Sequence, residues 1–406
     1  MTLHRVVITG VGAFSPCGNG ADALWQAARD GVSAAGEIRF DSIPDQKVFR
    51  AAHVPQDLYE AHAVNCKPRF QDRVAGFALI AAEEAVQNAG LTEQHFDDDF
   101  GVIVGSGFGG ADTLDRNYTI FAQGSKTRMD PMSIPKIMTN AAASWISMTY
   151  GARGPIYCNS TACSSASQSI GMAFHLLRAG AMRRCFTGGT EASVVPGVFR
   201  AWEILRVLSP DYCRPFSQDR NGMLLGEGAG ILVLETLEAA QERGAPILAE
   251  IVGYGTTSDG GDLLRPDPDG AARAMSKAIR DAGLAPSQIG YVNAHGTATV
   301  ANDLSETKAM RAVFGEDFDQ LAVSSTKPVH GHALGGAGAL ETIVTLFALT
   351  RQLAPPTANY TTLDPAIGFE PVHGEARSLS TNYCLTNSFA FGGINASLAL
   401  GAAPAS

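Results

Sequence analysis

The chain has 406 residues, 45 % of them hydrophobic, with 30 basic against 40 acidic side chains and a net charge of −10. That length and apolar content can fill one large core or two fused ones, so a soluble globule is expected, while the acidic balance argues against nucleic acid or an anionic membrane as the main partner. Seven cysteines, at positions 17, 66, 158, 163, 185, 213 and 384, form no CxxC pair and no disulfide-like spacing, which fits a reducing compartment. The run Met1 to Gly10 lacks the basic region and long apolar stretch of a signal peptide, and no apolar segment is long enough to span a bilayer, so a cytoplasmic location is expected.

Val6-Val7-Ile8-Thr9-Gly10-Val11-Gly12 reads as a buried strand entering a glycine turn, with a helix to follow around Ala21 to Asp30. It resembles the opening of a dinucleotide-binding unit but carries Ser15 where the third glycine belongs. Gly105-Ser106-Gly107-Phe108-Gly109-Gly110 completes GxGxxG after the strand Val102 to Val104. The following Ala111 to Arg116 opens no clear apolar helix, and no strand ending in an acid comes about twenty residues later. A tight loop near a substrate is the expectation there.

Cys158-Asn159-Ser160-Thr161-Ala162-Cys163-Ser164-Ser165 places a cysteine directly before a periodic run in which Ile170, Phe174 and Leu177 share one helical face. Unpaired amides and the positive end of a helix favour thiolate there, so a depressed pKa and a nucleophilic sulfur are expected. A buried structural cysteine is the alternative that position alone leaves open.

An internal repeat runs through the chain. Glu84 to Leu91 leads to Phe100 to Gly105 as Lys277 to Leu284 leads to Gly290 to Gly296, each a helix with a glycine cap followed by a buried strand and a glycine turn. Cys163 precedes a small-residue helix in the first half, and His332 in Gly331-His332-Ala333-Leu334-Gly335 does so in the second. Each half also closes with a glycine turn into a strand, at Gly226 to Leu234 and at Phe391 to Leu398. Two related halves, 1–250 and 251–406, are therefore expected, with pseudo-twofold packing that brings Cys163 and His332 together. Of the nine histidines, His4, His53, His62, His95 and His373 lie in mostly polar surroundings and His175 inside the helix after Cys163. His295, just after a strand, and His332 differ, each with a glycine beside it that lets the backbone come close to a substrate. Metal binding at His330 and His332 is the rival reading, but this HxH brings no acid of its own.

NSTACSSAS around Cys163, VNAHGTAT around His295, SSTKPVHGHALGGAG with Lys327 and His332, and NSFAFGGIN with Phe391 together resemble the motif set of the β-ketoacyl-acyl-carrier-protein synthases, type II. The resemblance covers nearly the whole chain. It implies a thiolase fold of five α-β-α-β-α layers built from two duplicated halves, a homodimer, an acyl carrier protein as partner, and no metal or organic cofactor. It further implies that Cys163 is the nucleophile and that His295 and His332 donate N–H groups to a developing enolate. The amides of Cys163 and Phe391 would form the oxyanion hole, with Gly392 and Gly393 in the turn beyond, and Thr297 and Thr299 would bind the pantetheine arm. Lys327 would order the polar centre by pairing with Glu341, for which an ordinary ion pair is the alternative.

Three departures stand out. Phe389-Ala390-Phe391-Gly392-Gly393-Ile394-Asn395 carries Ala390 and Ile394 where the family has glycine and threonine, so a stiffer gate at Phe391 is expected. Phe108 occupies the position that tunes acyl-pocket depth and is bulkier than the usual isoleucine, which implies a restricted pocket. His330 beside Gly331 is also unusual and points toward a specialised lipid or polyketide pathway. Carrier docking is expected at Lys67, Arg69, Lys126, Arg128 and Arg206. The rival to an elongating enzyme is a non-catalytic chain-length subunit, but such subunits generally lack the cysteine that this chain keeps.

Overall fold

The computed structural model describes residues 3–124 and 129–404. Ten strands carry its architecture: β1 (Val6–Ser15), β2 (Phe100–Gly105), β3 (Ile156–Tyr157), β4 (Arg184–Glu191), β5 (Gly228–Thr236), β6 (Ala249–Ser258), β7 (Tyr291–Asn293), β8 (Ala322–Ser324), β9 (Tyr383–Ala390) and β10 (Ile394–Ala402). Their spatial order is β8-β7-β9-β10-β6-β1-β5-β4-β2-β3. Read outward from the middle, β1-β5-β4-β2-β3 and β6-β10-β9-β7-β8 have the same connectivity, so each half of the sheet repeats the other. The two leaves meet where β1 and β6 pair antiparallel over Val6 to Ile8.

Helices fill the layers between and outside. α1 (Arg73–Ala89) covers β1 and β5 on one outer side, and α4 (Pro268–Asp281) covers β6 and β10 on the other. Between the leaves α2 (Ser165–Arg178) packs against α6 (Ala337–Arg351). Ile170, Phe174 and Leu177 of α2 are buried as their spacing requires, each side chain contributing about 1.5–3 kcal/mol of hydrophobic stabilisation. The sequence of layers is thus α-β-α-β-α. Two further helices bear on the site: α3 (Pro196–Ile204) and α5 (Val300–Phe314).

Two local expectations change. Gly10 and Gly12 form no turn, because β1 continues to Ser15. A Cβ at Gly12 would stand 2.0 Å from the Ala81 carbonyl oxygen, so glycine is needed there to let α1 lie on the strand. The segment after Gly110 does form a helix, Ala111–Ala122, which buries only Ala111, Thr113 and Asn117 and therefore left little periodic signal. No helix among the described residues is long and apolar enough to cross a membrane.

Candidate active site

Cys163 lies in a single 3-10 turn, Ala162–Ser164, that runs directly into α2. Ala162 before it has φ 50°, a left-handed conformation that costs a non-glycine residue about 1–3 kcal/mol and aims the next side chain out of the regular path. The second half repeats the device: Leu334 at φ 43° opens the turn Leu334–Gly336 that feeds α6. His332 stands two residues before that turn. Its backbone is fixed from both sides, its amide donating to the Leu224 carbonyl at 2.7 Å and its carbonyl accepting from Gly226 at 3.0 Å. His295 follows β7, and its amide and that of Gly296 donate to the two carboxylate oxygens of Glu306 on α5, each at 2.8 Å.

These elements deliver Cys163, His295 and His332 to the wall of one cleft, together with Thr297, Thr299, Phe391 and Gly393. The two imidazole rings meet edge to face, centroids 5.3 Å apart. Burial pushes both well below the usual histidine range, with the Lys327 charge adding to it. Both rings are therefore neutral at physiological pH, and each offers one N–H and one lone pair. Lys327 is buried and hydrogen-bonded to the Glu341 carboxylate. Burial raises the Glu341 carboxyl and the Lys327 charge pulls it back down. Removing one partner of such a pair costs about 3–5 kcal/mol, because the other charge is left buried and unpaired.

The expected depression of the Cys163 pKa is not found. Its thiol is only 7 % exposed, and burial pushes it up to about 12 against the opposing pull of Lys327. The helix end does favour the anion, but loss of solvent outweighs it. The sulfur rests as a thiol.

The other anticipated residues divide. Thr297 and Thr299 join their hydroxyls at 2.9 Å beside the cleft. Gly392 and Gly393 turn the chain after Phe391 with φ of 84° and 67°, and the Gly392 amide donates to the Leu263 carbonyl at 2.8 Å. Phe108 does not line the cleft; it is 44 % exposed on the loop after β2. Lys67, Arg69 and Arg206 are exposed and stand outside the cleft wall, whereas Lys126 and Arg128 lie outside the described residues. His330 is fully buried, with Nδ1 2.7 Å from the Gly331 carbonyl and Nε2 3.0 Å from the Thr326 hydroxyl. The carbonyl can only accept, so Nδ1 carries the proton and Nε2 accepts from Thr326. No ring lone pair is left for a metal, and among the described residues no cluster of three His, Cys, Asp or Glu side chains could hold one.

Three participants had not been anticipated. Trp202 of α3 stacks on Phe391 at 5.8 Å and 24°. Glu306 carries the His295 turn. Glu191, at the end of β4, accepts from the amides of Gly107, Phe108 and Gly335. The last had a visible signal, an acid closing the small-residue strand Thr187-Gly188-Gly189-Thr190.

The layered fold and a cleft lined by a cysteine and two histidines together define a thiolase-like condensing enzyme. Residues 3–240 match the β-ketoacyl synthase N-terminal domain and residues 248–361 its C-terminal domain. The chain is 39 % identical to 3-oxoacyl-[acyl-carrier-protein] synthase 2 of Synechocystis, over 97 % of both chains, and 40 % identical to nodulation protein E of a Rhizobium species, over 98 % of both. A solved structure, the ishigamide ketosynthase/chain length factor, superposes with a TM-score of 0.94 at 33 % identity, covering 99 % of this chain and 100 % of that one. The chain belongs to the β-ketoacyl synthase family. It is an acyltransferase, a condensing enzyme of the 3-oxoacyl-[acyl-carrier-protein] synthase class.

Proposed function

We propose that Cys163 carries the growing acyl chain and that His295 and His332 drive a decarboxylative Claisen condensation on it. The observation that supports this best is the meeting of Cys163 with two neutral imidazoles at one cleft. The Cys163 sulfur attacks the thioester carbonyl of an acyl carrier protein, and the carrier's sulfur leaves with the proton of the thiol, so the pocket gains no net charge. Malonyl carrier then enters. As its carboxylate departs as carbon dioxide, the electron pair moves into an enolate whose oxygen accepts hydrogen bonds from the imidazole N–H groups. The enolate carbon attacks the acyl-cysteine carbonyl, and the amides of Cys163 and Phe391 stabilise the tetrahedral oxyanion. Its collapse expels the Cys163 sulfur as thiolate, which takes up one proton from water to restore the thiol, and yields a β-ketoacyl carrier longer by two carbons.

Burial keeps both histidines from protonating, and Lys327, paired with Glu341, adds to it because its charge opposes a second one nearby. Neutral rings remain donors without drawing the carboxylate of malonate into an ion pair. Thr297 and Thr299 bind the pantetheine arm, Gly392 and Gly393 let the Phe391 turn approach it, and Phe108, which lies outside that cleft on a loop joined to the Ser160 segment, bounds the acyl pocket beyond Cys163. None of these steps calls for a metal or an organic cofactor.

The enzyme acts in the cytoplasm as a homodimer of two-half subunits, divided near residue 250. Support for the dimer comes from β3, which among the described residues pairs only with β2 and leaves Ile156 and Tyr157 41 % and 44 % exposed. Met148, exposed on a helix packed against β3, extends that apolar face. A dedicated synthase of a specialised pathway is the second reading, favoured by the equal likeness to nodulation protein E. Mass spectrometry of the intact protein after incubation with acyl carriers of graded length tests the central assignment. An acyl adduct mapped to Cys163 is expected, and no adduct with any carrier overturns it.

A further inference from the structure

Glu191 is a fully buried carboxylate for which no cation lies within ion-pairing distance among the described residues. Its charge is met by neutral donors instead. Oε2 accepts from the Gly107 amide at 2.8 Å and the Gly335 amide at 3.0 Å, and Oε1 from the Phe108 amide at 3.2 Å and the Ser106 hydroxyl at 3.4 Å. Three of these four donors belong to the loop after β2, and the fourth to the turn that follows His332. Burial pushes the carboxyl up to about 7 even though the amides pull the other way.

The loop and the turn touch backbone to backbone around this carboxylate. A Cβ at Gly335 would stand 2.2 Å from the Gly107 nitrogen, and one at Gly107 would stand 2.7 Å from Glu191 Oε2. The same loop is joined to the segment before the nucleophile, through the Ser160 hydroxyl donating to the Gly107 carbonyl at 3.2 Å and the Ser106 amide donating to the Asn159 carbonyl at 3.2 Å. Glu191 therefore sits where the Phe108 loop, the Cys163 segment and the His332 turn converge. No step of the condensation uses it, yet a buried charge is retained there, and an uncompensated one would be strongly destabilising.

We propose that Glu191 is a positioning residue for acyl-chain selectivity, which fixes the Phe108 backbone against the turn after His332 and so sets the depth of the acyl pocket. The proposal rests on the reading of Cys163 as the acyl carrier and of Phe108 as the limit of its pocket. A carboxylate suits this task because both oxygens accept, and a carboxamide at the same place would turn an NH₂ group toward one pair of donors. With Phe108 released, its ring can turn aside and long chains gain relative to short ones.

The test is the rate of acyl-adduct formation on Cys163 with short and long acyl carriers, for the native chain, Glu191→Gln, Ser106→Ala and Phe108→Ala. Glu191→Gln should raise the long-to-short ratio about tenfold, the equivalent of one hydrogen bond to a charged group, toward the ratio of Phe108→Ala. Ser106→Ala keeps the carboxylate and removes one donor; it should move the ratio the same way by a smaller factor, and it decides the matter if Glu191→Gln does not fold. An unchanged ratio, or an equal loss at every chain length, overturns the role of Glu191. Absence of adduct in the native chain as well would instead sink the reading of Cys163 on which the proposal rests.

Discussion

At the scale of the residue, the site is governed by removal of water more than by charge. Desolvation holds Cys163 as a thiol and keeps three neighbouring histidines neutral, with Lys327 acting in the same sense on the imidazoles. His330 shows what this implies for stability. Burial lowers its pKa to about 3, against 6.5 in an open chain, so between those values the unfolded state binds one more proton than the folded one. Stability is then fully present above about pH 6.5 and is lost as pH falls, at about 1.4 kcal/mol per pH unit from this group. His330→Val should remove that share: urea unfolding at a series of pH values between about 6 and 4.5 should show a slope shallower by about 1.4 kcal/mol per unit than the native chain. Loss of the bonds to Thr326 and Gly331 adds only an offset that does not vary with pH. Parallel slopes would mean that His330 takes up its proton in the folded state.

At the scale of the element, a short turn does the placing. Ala162 and Leu334 sit in matching left-handed conformations at the heads of α2 and α6, one aiming Cys163 and the other closing the chain just beyond His332. The repeat was legible in the sequence as glycine-capped helices and small-residue helix starts, but the left-handed residues were not, since alanine and leucine give no turn signal of their own. The edge strand β3 carries a prediction of its own kind. Its two residues are too few to close a sheet alone, and an apolar, open edge is a template for a second copy. Tyr157→Lys should shift sedimentation from dimer to monomer, weakening association about a hundredfold, as expected for burying an unpaired charge in an interface. A native chain that already sediments as a monomer, or a variant that stays dimeric, would rule out pairing through this edge.

At the scale of the whole molecule, the acidic chain must receive a carrier protein, and basic residues are expected to help. Arg206 is the one beside the cleft, following α3, whose Trp202 stacks on Phe391. Reversal of its charge should raise KM for acyl-carrier substrates about tenfold while leaving a small acyl thioester unaffected, because rim charges act on encounter with a charged partner. Equal effects on both substrates would place Arg206 in the chemistry of the cleft and not in docking. Lys67 and Arg69 are exposed and lean on Trp145 and Phe70 at 5.9 Å and 5.6 Å, a geometry that serves packing as readily as recognition.

The sequence by itself determined the duplicated architecture and the principal residues of the cleft, because both are written as local patterns: glycine caps, buried strands, and a cysteine or histidine set among small residues. Only the tertiary structure decided their electrostatics. The resting state of Cys163 follows from burial by both halves at once, which no local pattern around Asn159 to Ser165 records. The same holds for Glu191, whose three amide donors come from two segments more than two hundred residues apart. Hydrogen bonds and desolvation depend on what the fold brings near in space, and that is settled by packing between the halves, not by periodicity within either.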